Sequence, residues 1–237
     1  MKIVNLDKGE RLIEINFENA TMVFSTGENN LDFRKNKSSF KESLDKISTY
    51  YGLKEIKVLS QVHSSIVLDI KEEGREGDGL ITNEKHIGIG VLTADCVPLL
   101  LYDEKNKAIG AVHSGWKGTL DHISLKAVNK MNKLYNCDPF NIKAVIGPHN
   151  RECCYEFGED LIEKFLEDEI FKGSKVRENR NLNVENCIIE DLKYGGLREE
   201  DIKSLGLCTY CNNKFKFHSY RKDREESGRL LSLIFMK

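Results

Sequence analysis

At 237 residues, with 40% hydrophobic and 31% charged residues, the chain is long enough to bury a sizeable core in one domain. Its 36 basic and 38 acidic residues are interspersed and leave a net charge of −2, which argues against a nucleic-acid binder, since such a protein carries a basic surplus on one face. The opening stretch MKIVNLDKGERLIEINF holds no apolar core of signal-peptide length and no window approaches a membrane span, so a cytoplasmic protein without a membrane partner is expected.

Residues 1–25 read as a strand or hairpin lead, with Thr21–Ser25 the clearest strand, and Gly27–Leu31 as a loop. The spacing of Phe40, Leu44, Ile47 and Tyr51 predicts a helix over Phe33–Tyr51, stopped by Gly52. Ile56–Leu59 and Ile66–Ile70 are short strands on either side of Ser60-Gln61-Val62-His63, and Glu72–Gly79 reads as a charged, exposed loop. Ile87–Leu92, Val97–Tyr102 and Ala108–Val112 are short apolar runs between turn signals, the pattern of strands buried on both faces. Leu120–Tyr135 is predicted as a helix, and Lys143–Ile146 as a strand ending at Gly147-Pro148. Two more helices follow at Glu159–Phe171 and Val184–Gly195, then a short one at Leu197–Ser204. Phe215–Tyr220 and Leu230–Phe235 close the chain as strands around a charged turn, Arg221–Gly228. The reading is a mixed α/β domain with antiparallel pairs beside helical crossovers.

Cys96 precedes its strand and His113 follows the antiparallel return, so the two meet at one sheet edge. A cysteine and a histidine brought together in this way are metal ligands, or a nucleophile with its base. His63 also stands at a strand end. Two histidines and a cysteine with no fourth protein ligand describe a catalytic zinc site with an open position. A buried thiol and two satisfied loop histidines account for the same residues equally well. The seven cysteines are an odd number, and Cys153 and Cys154 are adjacent, so a secreted disulfide framework is a poor reading.

The segments QVHSSIV (61–67), GDGLIT (77–82), TADCVPLLLYD (93–103), AVHSGWKGT (111–119), IGP…CCYEFGED (146–160) and FHSYRKDREESGR (217–229) occur in an order that resembles the YfiH family, bacterial proteins once called polyphenol oxidoreductases or multicopper laccases. The resemblance covers about Thr21 to Phe235. It implies a four-layer α/β/β/α sandwich with mixed sheets spanning 1–237, and a zinc held by His63, Cys96 and His113. It also implies phosphorolysis of adenosine, inosine, guanosine and methylthioadenosine, with adenosine deamination alongside. Purine nucleosides and phosphate are then the expected partners.

Other residues of these motifs have two readings each. Asp78, a candidate substrate contact, and Asp95, a candidate catalytic residue, flank the ligands and orient them or accept protons, or are surface turn aspartates, a reading that suits Asp78 better than Asp95. Gln61 stands two residues before His63, so in an extended segment both face one way. It is a candidate substrate contact or an ordinary strand amide. Arg221 and Arg229 are candidates to grip phosphate through the guanidinium fork, against a solvated charged turn. Cys153 and Cys154 match the family's CCYE pattern and are expected to line the pocket, Cys154 as a substrate contact, or to pack near it. Cys208-Thr209-Tyr210-Cys211 lacks a second CxxC to complete a zinc ribbon and reads as packing. The family's early arginine has no clear counterpart, Arg34 being the nearest basic residue, and Lys222 replaces a usual arginine. His149 follows Gly147-Pro148 where small apolar residues are usual, which would alter substrate preference near the pocket.

Two other enzyme classes compete. A cysteine hydrolase acting on peptidoglycan precursors would use Cys96 as nucleophile and His113 as base. A copper-dependent polyphenol oxidase would need closely spaced His-x-His pairs, and the six histidines include none. A blue-copper site also wants an axial methionine, and Met1, Met22, Met131 and Met236 show no placement that suggests one.

Overall fold

In the computed structural model, which describes all 237 residues, the first half of the chain runs β1 (Lys2–Asn5), β2 (Arg11–Asn16), β3 (Ala20–Ser25), α1 (Phe40–Tyr51), β4 (Glu55–Val58), β5 (Val67–Asp69), β6 (Gly79–Thr82), β7 (Ile87–Thr93), β8 (Val97–Asp103) and β9 (Ala108–Ser114). It continues through α2 (Trp116–Leu120), α3 (Ile123–Tyr135), β10 (Ile142–Ile146), α4 (Glu159–Glu167), β11 (Arg177–Glu178), β12 (Asn181–Leu182), α5 (Val184–Tyr194), β13 (Ile202–Ser204), α6 (Tyr220–Asp223) and β14 (Leu230–Met236). Two six-stranded mixed sheets result, in the orders β1-β2-β3-β14-β7-β4 and β13-β10-β8-β9-β6-β5.

Side-chain alternation sorts the apolar residues into three cores. Leu100 and Tyr102 of β8 meet Met22, Phe24, Ile89 and Ile234 between the sheets. Leu99 and Leu101, on the opposite face of the same strand, pack with Ile123, Val128, Phe165 and Ile188 of the α3, α4 and α5 layer. Leu12, Val23, Leu231 and Leu233 pack on Ile47 of α1 on the far side of the first sheet. The layers are therefore helix, sheet, sheet, helices, and the unbroken apolar run of β8 is explained because both its faces are buried.

Several predicted elements are corrected. The first helix starts at Phe40, not Phe33: Phe33 is fully buried, and the Asp32 carboxylate accepts from the backbone N–H groups of Arg34 and Arg229, pinning 32–34 to the start of β14. The helix predicted over Leu120–Tyr135 breaks at His122, which takes a left-handed φ of 55° and separates α2 from α3. The next helix ends at Glu167 because Asp168 turns the chain by accepting from the N–H groups of Ile170 and Phe171. Leu197–Ser204 is a 3₁₀ turn followed by β13, which pairs in parallel with β10. Phe215–Tyr220 forms no strand; Phe215 and Phe217 plug the core between the sheets, and Ser219 caps α6 inside the expected charged turn. Gly79–Thr82, not predicted as a strand, is β6, and it runs antiparallel to β9.

Candidate active site

The chain passes from one sheet to the other through Ala94-Asp95-Cys96, between β7 and β8. Pro98 pairs with His113 across β8 and β9, which brings Cys96 and His113 to the same edge, as expected. His63 arrives from the loop between β4 and β5, with its backbone in the left-handed region at φ 57°. Its Nε2 lies 3.9 Å from Cys96 Sγ, and the ligand atoms of His63, Cys96 and His113 all fall within 4.8 Å of one another. Gly115 leaves room for the triad, since a Cβ at that position would sit 3.2 Å from both Cys96 Sγ and the His63 ring and would push them by a few tenths of an ångström.

Asp78 organises the triad from below. It is fully buried, and its carboxylate accepts from the backbone N–H groups of Val62 (3.2 Å), His63 (3.1 Å) and Ser64 (2.6 Å) and from the Ser64 hydroxyl (2.7 Å). Three successive N–H groups around one anion form a nest, which accounts for the left-handed turn at His63. Asp78 Oδ1 also holds His113 Nδ1 at 2.7 Å, leaving Nε2 to face the shared centre. Burial pushes the Asp78 carboxyl up, but His113 and Ser64 outweigh it and hold the group down at about 2. Burial likewise opposes ionisation of Cys96, yet His113 and His63 bring its thiol down to about 6. His113 moves the other way: burial lowers it, but Cys96 and Asp78 raise it to about 9.

The donor set fits zinc. A tetrahedral ion with about 2.0–2.3 Å bonds places its donors about 3.3–3.6 Å apart. The 3.9 Å between Cys96 and His63 is close to that spacing, and a small rotation of either side chain closes it. Three protein ligands leave the fourth position open, as in catalytic zinc sites, and the carboxylate behind His113 matches the outer support such ligands receive.

A cavity of about 860 Å³ opens above the triad. Five cations face it, Arg34, Lys35, Arg221, Arg224 and Arg229, and so do four aromatic rings, Trp116, Tyr155, Phe157 and Tyr220. The Arg221 guanidinium lies 5.4 Å from the Tyr155 ring and 5.5 Å from that of Phe157, and its Nη2 donates to the Glu156 carbonyl at 2.9 Å. Arg229 Nη1 donates to the carbonyls of Ser227 and Gly228, both at 3.0 Å.

The remaining predicted residues occupy different places. Asp95 is buried, with both carboxylate oxygens taken: Oδ1 accepts from the Thr209 hydroxyl at 2.7 Å and Oδ2 from the Arg221 N–H at 2.6 Å. It therefore ties the Cys96 turn to two other loops. Gln61 lines the cavity, but its amide is bonded at both ends to the backbone of Leu92, at 2.7 and 2.8 Å. Asp78 is not on the surface and lies outside the cavity wall, so the expected substrate contact is corrected to a support beneath the ligands. Cys154 does not line the cavity either; it gathers with Cys153, Cys208 and Cys211. His149 is buried against Gly147 O (2.9 Å) and Glu185 (3.2 Å), away from the cavity.

Sequence reasoning missed Arg34, Lys35, Trp116, Tyr155 and Phe157 as cavity residues. Tyr155 and Phe157 had a signal, since alternate residues after CC face one way in an extended segment. Arg34 stood out only as the basic residue nearest the family's early arginine, because only the fold carries 32–35 to the start of β14.

The sequence matches the family model described as "Multi-copper polyphenol oxidoreductase laccase" over residues 12–237. It is 38% identical to a purine nucleoside phosphorylase of Clostridium acetobutylicum over the full length of both chains. A purine nucleoside phosphorylase of Borreliella burgdorferi is 33% identical over 74% of this chain and 77% of its own. Among solved structures, the hypothetical protein YfiH of Bacillus licheniformis superposes with a TM-score of 0.88 at 23% identity, covering 99% of each chain. YlmD from Geobacillus stearothermophilus gives 0.81 at 21% identity, covering 93% of each.

Proposed function

Since this chain belongs to the YfiH family, whose model carries the laccase description, we propose that it is a cytoplasmic, zinc-dependent purine nucleoside phosphorylase. The observation that carries the reading is one cavity lined by a soft-ligand triad, by arginines and by aromatic rings, with Arg221 set against Tyr155 and Phe157. Aromatic faces suit a purine, and guanidinium groups suit phosphate. Relatives named purine nucleoside phosphorylase support the same substrate class.

In phosphorolysis a phosphate oxygen forms a bond to ribose C1′ as the bond from C1′ to purine N9 breaks, and the electron pair leaves with the base. Arg221 and Arg229 would hold the phosphate and screen its charge, with Arg34 adding a third guanidinium. Trp116, Tyr155 and Phe157 would hold the base and exclude water. His63, Cys96 and His113 would hold the zinc, which when bound supplies a Lewis acid that polarises an oxygen of a reactant. Adenosine, inosine, guanosine and methylthioadenosine fall within this proposal. Adenosine deamination belongs to it too: there water adds to purine C6 and ammonia leaves, so phosphate and the arginines that hold it are not needed.

Copper oxidase chemistry does not fit the donors. Outside the triad, His122 bonds to Asp168 and Asp191, His149 to Glu185, and His218 to the Leu31 carbonyl. Neither these three nor His86 joins the triad in a larger donor group, so the donors of a three-copper cluster are not assembled. The low Cys96 thiol beside His113 supports a second reading, the cysteine hydrolase. Amide hydrolysis by zinc-free protein, abolished by Cys96→Ser, would favour it.

The arginine assignment is tested by Arg221→Ala. Loss of a charge-assisted contact worth about 2–3 kcal/mol slows phosphorolysis about 30- to 150-fold at subsaturating phosphate. Adenosine deamination by the same preparation should fall much less, and Arg221→Lys should recover only part of the loss. Equal loss of both activities would make Arg221 a pocket-shaping residue, and no loss of either would remove it from the site.

A further inference from the structure

Four cysteines converge outside the active site. Cys153 and Cys154 sit in the turn closed by Cys154 N–H donating to Arg151 O at 2.8 Å. Cys208 and Cys211 come from the loop after β13. All four Sγ atoms lie within 4.8 Å of one another, and Cys153 and Cys211 are 3.6 Å apart. Four thiolates around zinc, with bonds of about 2.3 Å, sit at the corners of a tetrahedron with edges of about 3.8 Å. Cys-x-x-Cys is the spacing of zinc-binding turns. The second pair is supplied by adjacent residues, so it is invisible as a motif.

We propose that Cys153, Cys154, Cys208 and Cys211 form a second, structural zinc site. Four sulfurs this close enclose one ion and leave no space for a larger iron–sulfur core. A pair of disulfides would need only two contacts of about 2.05 Å and gives no reason for all four to meet. Binding one Zn²⁺ displaces four thiol protons and closes the coordination shell, so this ion holds structure and does no chemistry.

Its place in the fold says what it holds. The Cys153-Cys154 turn leads directly into Tyr155 and Glu156, which position Arg221. The Cys208–Cys211 loop carries Thr209, which bonds to Asp95 next to Cys96. Beyond the single bridge between His149 and Cys208 and the backbone bonds around it, these two loops share no ladder. The ion would clamp two walls of the cavity together.

The test is zinc content and X-ray absorption on protein purified with zinc under reducing conditions. Wild type should hold two zinc ions per chain, with an average of about 2.5 sulfur neighbours each if both sites fill, against about 1 if only the triad does. His63→Ala/Cys96→Ala should keep one zinc surrounded by four sulfurs at about 2.3 Å. Cys208→Ser/Cys211→Ser should lose that zinc, keep the other, and melt at a lower temperature. The wild-type measurement stands even if a variant fails to fold. The proposal is overturned if wild type averages one sulfur per zinc, if the folded triad variant holds no zinc, or if the intact mass under non-reducing conditions is short by the hydrogens of a disulfide among these four.

Discussion

At Asp78 one carboxylate sets the conformation of two ligands. It bends the His63 loop by accepting three backbone N–H groups, and it holds His113 by Nδ1. Asp78→Asn keeps the size of the side chain but removes the charge and turns one acceptor into a donor facing N–H groups. By the usual effect of such supporting partners, zinc affinity should fall about 10- to 100-fold, read by competition with a chelator. Unchanged affinity would mean that the loop holds His63 without help. In the sequence Asp78 stood in the GDGLIT motif as a residue flanking the ligands, with an exposed turn aspartate as its other reading. Its burial comes from the pairing of β5 with β6 and of β6 with β9, contacts between residues far apart in the chain. Cys96 and His113 were legible because one hairpin joins them; His63 was legible only as another histidine at a strand end, and the resemblance gave the three their weight as a set.

At the level of elements, the helix layer is tied by a polar contact as well as by apolar packing. His122 stands at the break between α2 and α3, with Nδ1 2.7 Å from Asp191 of α5 and Nε2 3.1 Å from Asp168 after α4. The bond to Asp191 and the charge of both carboxylates raise its pKa above 6.5 against the effect of burial. A group raised in the folded state contributes fully below its unfolded value and loses that contribution as pH rises through the folded one. Burial pushes Asp191 up to about 6 despite His122, which acts in the same direction: stability falls as pH rises from about 4. His122→Asn keeps a donor toward Asp191 and tolerates the left-handed backbone, but it cannot carry charge. Its cost should be about 1–2 kcal/mol at pH 6 and shrink as pH rises through the raised His122 pKa, measured by urea denaturation. A difference that does not change with pH would remove the charge from the explanation. Sequence periodicity started the helix at Leu120, the last residue of α2, because nothing local marks His122 as a break. The strand predicted at Phe215–Tyr220 failed for a related reason: alternating Phe215 and Phe217 fill the core between the sheets without pairing to a neighbour.

Across the whole molecule, the two sheets meet where Ala94-Asp95-Cys96 crosses between them, and the site occupies that seam. Strand ends of both sheets reach it: Thr93 pairs with Leu230 beside Arg229 in one, and Val97 with Ser114 beside His113 in the other. Apolar runs buried on both faces made a layered α/β fold readable from the sequence. Strand order was not readable, since β14, last in the chain, lies between β3 and β7. Part of the cavity wall was hidden for the same reason, because Arg34, Trp116 and Tyr155 come from distant segments that only this order brings together, whereas Arg221 and Arg229 were already candidates. The central claim is that this seam transfers a ribosyl group from a purine to phosphate. The most direct measurement is the product of inosine incubated with zinc-loaded protein, with and without inorganic phosphate. Hypoxanthine and ribose 1-phosphate should form together, only when phosphate is present, and Cys96→Ala should abolish both. Oxygen uptake on a phenolic substrate with no ribose 1-phosphate formed, or hypoxanthine released with free ribose whether or not phosphate is added, would contradict it.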